Sequence, residues 1–215
     1  MNMIETPLFD GIDEAGQEDM KRCGGMRKGL FEKNETIFHT GDQVCEVGTV
    51  LLGGVNIETN DLWGNRSILS HIPAGQVFAE TYALCRQPMM VDAVASEASE
   101  ILFLNLKLLL HSSHAETAWQ PRIIQNLLQI SAQKNLALSG RIFCTTPKTI
   151  RGRLMVYLSA QSAKTKSTAF RIPFDRQGLA DYLNLDRSAL SKELGKMRDE
   201  GILEFHKNRF ILHKH

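Results

Sequence analysis

With 215 residues, 43% hydrophobic and 23% charged, the chain suits one large domain or two small ones of ordinary soluble composition. No apolar run reaches the roughly 18 residues of a membrane span, the acidic start MNMIETPLFDGIDE is no secretory signal, and Cys23, Cys45, Cys85 and Cys144 form no CxxC pair; a membrane protein, a disulfide framework and a zinc site are disfavoured, and a cytoplasmic location is expected. The net charge of +1 hides an asymmetry, because residues 144–215 hold 14 Lys/Arg against 7 Asp/Glu while residues 1–143 hold 11 against 17. A basic third beside an acidic remainder is expected of a DNA-binding module joined to one that does not bind DNA.

From about Arg27 to Leu106 short apolar runs alternate with turn signals such as Gly41-Asp42, Gly53-Gly54, Asn60-Asp61 and Pro73-Ala74-Gly75. Strands are predicted at Thr36–His39, Val47–Leu52, Ser67–Ile72, Val91–Ala95 and Glu100–Leu104, giving an antiparallel β-barrel or jelly roll over residues 1–114. From 115 to 143 the period becomes helical. Ile123, Ile124, Leu127, Leu128, Ile130, Leu136, Leu138 and Ile142 cover more than one face, and about 28 residues make a helix roughly 42 Å long. One face can pack on the barrel and another on the same helix of a second subunit, so a homodimer is expected. Cys144-Thr145-Thr146-Pro147 reads as a hinge, because proline disfavours helix in the residue before it. Residues 148–163 form a further amphipathic helix, and Lys164–Thr168 a polar loop.

The most telling stretch is Asp175 to Leu212, within a third domain at 144–215. Asp175 caps a first helix with Leu179, Ala180 and Leu183 inward; Asn184-Leu185 makes the turn; Asp186 caps a second helix running to about Glu200. Leu190, Leu194 and Met197 fall at i, i+4 and i+7, leaving Ser188, Ser191, Lys192 and Gly195 opposite, with Arg187 at the edge. Gly201 stops the helix, and Ile202–Phe205 pairs with Phe210–Leu212 across His206–Arg209. This is a winged helix-turn-helix, which lays its second helix in the major groove of double-stranded DNA. An amphipathic hairpin would explain the leucine stripe equally well, but not the small, basic outer face.

In this order the elements resemble the cyclic-AMP receptor protein and fumarate-nitrate regulator (Crp/Fnr) superfamily of bacterial transcription regulators. The resemblance runs from about Gly29 to Leu212 and is most specific at FHTGD (38–42), GQVFAE (75–80) and the helix-turn-helix. It implies an α+β chain with a cyclic-nucleotide-binding-like sensor domain, a dimerisation helix and a DNA-binding domain, and a regulator rather than an enzyme, with RNA polymerase among its partners. It makes Arg176 a phosphate contact. The positions at which the family reads bases with Glu, a small residue and Arg are here Ser188, Ser191 and Lys192, so a different operator is expected, with Arg187 the first candidate for a guanine or phosphate. Lys207 and Arg209 in the wing would touch phosphates.

At the sensor end the resemblance aligns Ala79-Glu80 with a Gly-Glu that holds ribose, and Met89-Met90 with the Arg-Ser that pairs with the cyclic phosphate. A phosphate facing two thioethers lacks a compensating donor, and Leu136-Ala137, near the adenine-reading part of the helix, lacks hydroxyls. A small-molecule effector other than cyclic AMP is expected, its pocket drawn from Glu80, Met89, Met90 and Leu136, although the methionines would equally serve as barrel core. No cofactor is assigned. Cys23 alone cannot build an iron–sulfur cluster, His39, His71 and Cys85 carry no haem signature, and His111-Ser-Ser-His114 lacks a third metal ligand. A thiol switch at Cys23, Cys45 or Cys144 stays open. Two rivals remain: a cupin-like metal enzyme, disfavoured because no HxH pair occurs, and a DNA-binding protein whose barrel senses nothing.

Overall fold

The computed structural model describes residues 4–60, 66–107 and 119–213. It divides into two compact units, Met1–Gln133 and Lys134–His215. No helix of the described residues is long and apolar enough to cross a membrane.

In the first unit a single turn at Pro7–Phe9 leads to α1 (Glu14–Arg22), whose N-cap Asp13 accepts from the Gly16 N–H. Among the described residues eight strands follow: β1 (Met26–Phe31), β2 (Thr36–Phe38), β3 (Glu46–Leu52), β4 (Gly54–Asn60), β5 (Arg66–Pro73), β6 (Val77–Phe78), β7 (Asp92–Ala95) and β8 (Ser99–Asn105). The short helix α2 (Glu80–Cys85) lies between β6 and β7. Pairing is antiparallel throughout, in two four-stranded sheets ordered β1-β8-β3-β6 and β2-β7-β4-β5. The sheets stay separate, so the domain is a double-sheeted roll and not a closed barrel.

Side-chain alternation along β8 shows how it is filled. Ile101 and Phe103 point between the sheets, where they meet Phe38, Val55, Phe78, Met89 and Ala93. Leu102 and Leu104 point the other way and are covered by Leu8, Phe9, Met20, Trp119, Ile123 and Leu127. Thus the first turns of α3 (Trp119–Thr145) and the N-terminal segment roof the outer face of one sheet. Residues 108–118, at the expected start of the long helix, lie outside the described residues.

All five predicted strands are present within one residue at each end. Three were not predicted. β1 is an edge strand bearing Arg27 and Lys28, β6 has two residues, and a bulge after Ile57 turns Glu58 inward and breaks the alternation of β4.

The second unit holds the end of α3, then α4 (Ile150–Thr165), β9 (Ala169–Arg171), α5 (Arg176–Leu183), α6 (Arg187–Asp199), β10 (Leu203–His206) and β11 (Arg209–Leu212). Both predicted inward stripes, Leu179/Ala180/Leu183 and Leu190/Leu194/Met197, are fully buried together with Leu154, Tyr157 and Phe210; each such large side chain contributes about 1.5–3 kcal/mol. β9 adds a third strand to the wing by pairing with β11, just after the predicted polar loop. A three-residue strand with one buried side chain, Phe170, leaves no period to read.

Candidate nucleic-acid interface and sensor site

Each helix of the helix-turn-helix is started by an aspartate. The Asp175 carboxylate accepts from the Gly178 N–H at 2.7 Å and that of Asp186 from the Ala189 N–H at 2.8 Å. Between them Asn184 takes the left-handed conformation (φ 51°), letting the Leu185 N–H return to the Ala180 carbonyl at 2.9 Å. These local bonds put an arginine at the first position of both helices, Arg176 on α5 and Arg187 on α6.

The two arginines differ in surroundings. Arg176 is half-buried, its guanidinium 5.0 Å from the Phe205 ring centroid and 6.0 Å from that of Phe210 in the wing. Burial, and then the positive charge of Arg187, lower its pKa from the usual arginine value. Arg187 is exposed, and its guanidinium has no partner among the described residues. Two guanidinium groups close enough for one to depress the pKa of the other can together attract an anion such as phosphate.

Ser188, Ser191 and Lys192 are all exposed on α6. Both hydroxyls are engaged at home, Ser188 donating to the Asp186 carboxylate and Ser191 to the Arg187 carbonyl at 2.9 Å. Lys192 has no partner among the described residues. The acids of α6 and of its C-cap are paired: Glu193 with Arg151 at 2.6 Å, the C-cap Glu200 with the same arginine at 2.7 Å, and Asp199 with Arg198 at 3.1 Å. In the wing Lys207 (φ 53°) and Arg209 are exposed, and the tip is pinned by the Asn208 amide, which donates to the Ile172 carbonyl at 3.1 Å. The outcome is a cationic face with few competing carboxylates.

At the sensor end FHTGD is a clamp. Gly41 (φ 93°) donates to the Met89 carbonyl, the Met89 N–H donates to the Asp42 carbonyl, and Thr40 bonds the Asp92 carboxylate through both its N–H and its hydroxyl; the Thr40 N–H is the main cause of the lowered Asp92 pKa. GQVFAE is a second turn, in which Gly75 (φ 85°) bonds β3 and left-handed Ala79 launches α2 with Glu80 buried at its start. Of the paired methionines only Met89 points into the roll. Met90, the next residue, sits in a bend just before β7, faces outward and is 77% exposed, so it lines no interior pocket. Leu136 is exposed on α3, in the second unit. A cavity of about 770 Å³ lies elsewhere in the first unit, between Ile4–Asp13 and Asn126–Gln133, and touches none of Glu80, Met89 and Met90. Among the described residues no three His, Cys, Asp or Glu gather to hold a metal; His111 and His114 lie outside them. All four cysteines are free thiols, and burial raises the pKa of Cys144, disfavouring its thiolate.

Two family models match the chain, the cyclic nucleotide-binding domain over residues 29–111 and the Crp-like helix-turn-helix domain over residues 152–215. The chain belongs to the Crp/Fnr superfamily. This regulator is 23% identical over 193 residues to electron transport regulator A of Shewanella oneidensis, covering 86% of this chain and 74% of that one. It is 21% identical to the cAMP-activated global transcriptional regulator CRP of Haemophilus influenzae, covering 85% and 82%. Its fold matches that of the c-di-GMP-responsive global regulator CLP of Xanthomonas campestris with a TM-score of 0.59 at 16% identity, over 94% of this chain and all of that one. The protein is a DNA-binding transcription regulator with a cyclic-nucleotide-binding-type sensor domain, and members of its family are regulators, not enzymes.

Sequence reading missed what supports this face from behind. Arg141, Arg151 and Arg153 bond groups some 30 to 50 residues away, and no local pattern marks an arginine for that task.

Proposed function

We propose that this regulator acts as a cytoplasmic homodimer that reads a two-fold symmetric DNA site through Arg187 and Lys192, grips phosphates through Arg176, Lys207 and Arg209, and passes the result to RNA polymerase. The observation that carries this reading is the set of exposed cations on α6 and the wing beside carboxylates already paired to Arg151 and Arg198. With Ser188 and Ser191 bonded within their own helix, discrimination falls to the two cationic side chains, and both suit guanine O6/N7.

Dimerisation is supported by α3. Ile124, Leu128, Leu138 and Ile142 are each at least half exposed, and with Ser131 and Asn135 they make steps of four and three residues, the spacing of a two-stranded seam. The domain reading accordingly keeps 115–143 as a dimerisation segment between a sensor (1–114) and a DNA-binding domain (144–215). The effector is a small molecule other than cyclic AMP, because Met89 and Met90 stand where the family pairs the cyclic phosphate with Arg and Ser.

Selection of duplexes from a random library by the full-length protein tests the reading. A palindromic consensus containing guanines is expected, bound with an affinity that falls steeply with salt. Selection without enrichment, or binding insensitive to salt, overturns it. Cyclic AMP is expected to leave the affinity for the selected duplex unchanged; a response would return the effector to the cyclic-nucleotide class.

A further inference from the structure

A helix leaves its last four carbonyls without partners inside the helix. For α5 these lie at the turn of the helix-turn-helix, and two arginines from outside the motif meet them. Arg141, on the last turns of α3, donates from Nε to the Tyr182 carbonyl at 3.1 Å and from Nη2 to the Asp181 carbonyl at 3.0 Å and the Asn184 side-chain oxygen at 3.2 Å. Its guanidinium also lies 5.8 Å from the Tyr182 ring centroid. Arg153, on α4, donates from Nη1 to the Leu183 and Asn184 carbonyls at 3.0 and 2.9 Å, and from Nε to the Pro147 carbonyl at 2.9 Å. Four successive carbonyls are thus covered by two planar cations at the negative end of the helix dipole.

We infer that Arg141 is a positioning residue for DNA recognition: it latches the turn of the helix-turn-helix to the end of α3 and so fixes the attitude at which α6 is presented. Arg153 holds the same turn to the hinge proline, and Arg151 on α4 holds α6 itself through Glu193 and Glu200. Arg141 is the member of the set that belongs to α3, the helix that crosses the division between the units. Its fork matters more than its charge, since the three acceptors are served from two separate nitrogens, Nε and Nη2, of one rigid plane, a spread that the single nitrogen of a lysine does not reproduce. Freed of the latch, α6 gains angular play. A base contact needs closer aim than a phosphate contact, so discrimination suffers before affinity does.

The latch has a reporter nearby. Cys144, one turn beyond Arg141, is 4% exposed in the core that includes Tyr157 and Leu183, whereas Cys45 and Cys85 are exposed and Cys23 partly so. In the full-length chain with Cys23, Cys45 and Cys85 changed to Ser, the labelling rate of Cys144 by a disulfide reagent reads opening at this place.

The inference rests on the reading that α6 discriminates bases, so R187A serves as the control beside R141A and R141K. The probes are the duplex selected by the wild type and a scrambled duplex of equal length. Both Arg141 variants are expected to label about tenfold faster at Cys144 and to lose about tenfold in the ratio of affinities for selected over scrambled DNA, while binding scrambled DNA as before. R141K, which keeps the charge, guards against a simple folding defect. A ratio preserved within about twofold in both variants overturns the latch whether or not labelling quickens, as does an equal loss on both duplexes. Should R187A also keep the ratio, the reading of α6 fails instead, and the two failures are told apart.

Discussion

Arg176 and Arg187 are the same residue at the same position of successive helices, and surroundings separate their tasks. Arg176 rests its guanidinium over Phe205 and Phe210, so R176A should cost fold stability as well as DNA affinity, whereas exposed Arg187 should cost affinity alone. Thermal melting together with binding isotherms checks this: a midpoint lowered by R176A and unmoved by R187A is expected. Under the proposed reading of DNA by α6, R187A and K192A should each lose about 1–3 kcal/mol of binding with relaxed sequence preference. In the wing, K207A and R209A should weaken all sequences alike and each reduce the salt slope by about one. Far from DNA, Gly48 shows a residue chosen by its neighbour. A Cβ there would lie 2.3 Å from the Phe78 ring inside the roll, and because that ring is packed between two sheets it cannot swing aside. G48A is therefore expected to destabilise the sensor unit by about 1–3 kcal/mol, read by chemical denaturation followed by tryptophan fluorescence.

Elements whose cause is local could be read before the structure was known. Asp175 and Asp186 cap their helices through bonds to residues three ahead, Asn184 turns the chain with its own left-handed conformation, and the two inward stripes follow from spacing alone. What escaped has non-local causes. β9 exists because β11 is there to pair with it, β4 conceals its period behind a bulge, and the separation of Met89 from Met90 is fixed by the FHTGD turn some 50 residues earlier. The long helix lies between these cases, since its apolar residues are plain in the sequence but their partners are not. Leu128 and Ile142 are exposed on it, and under the proposed homodimer L128D/I142D should convert a dimer to a monomer in native mass or sedimentation while leaving each subunit folded. Leu30, 80% exposed on β1, gives the control: L30D should leave the mass unchanged. A double mutant that stays dimeric at micromolar concentration would place the interface elsewhere.

The two units should also answer differently to alkali. Cys144, Tyr157 and Tyr182 all have pKa values raised, in each case chiefly by burial, and all three belong to the core of the second unit. An acid whose pKa is higher folded than unfolded keeps its proton in the fold after the unfolded chain has begun to lose it. The stabilisation is therefore complete below the unfolded values, 9.0 for the thiol and 10.0 for the phenols, and drains away as pH rises past them. Two optical probes weight the units differently. Both tryptophans, Trp63 and Trp119, fall within residues 1–133, while helices α4, α5 and α6 all belong to residues 134–215. Between pH 7.5 and pH 10 the melting midpoint followed by far-ultraviolet circular dichroism should drop by about 5 °C, the scale on which one kcal/mol moves a domain of this size, and the midpoint followed by tryptophan fluorescence should drop less. Replacing Cys144 with Ser should remove part of the first shift and none of the second. Equal shifts by both probes would mean that alkali acts on the whole chain and that the buried thiol and phenols are not its point of attack.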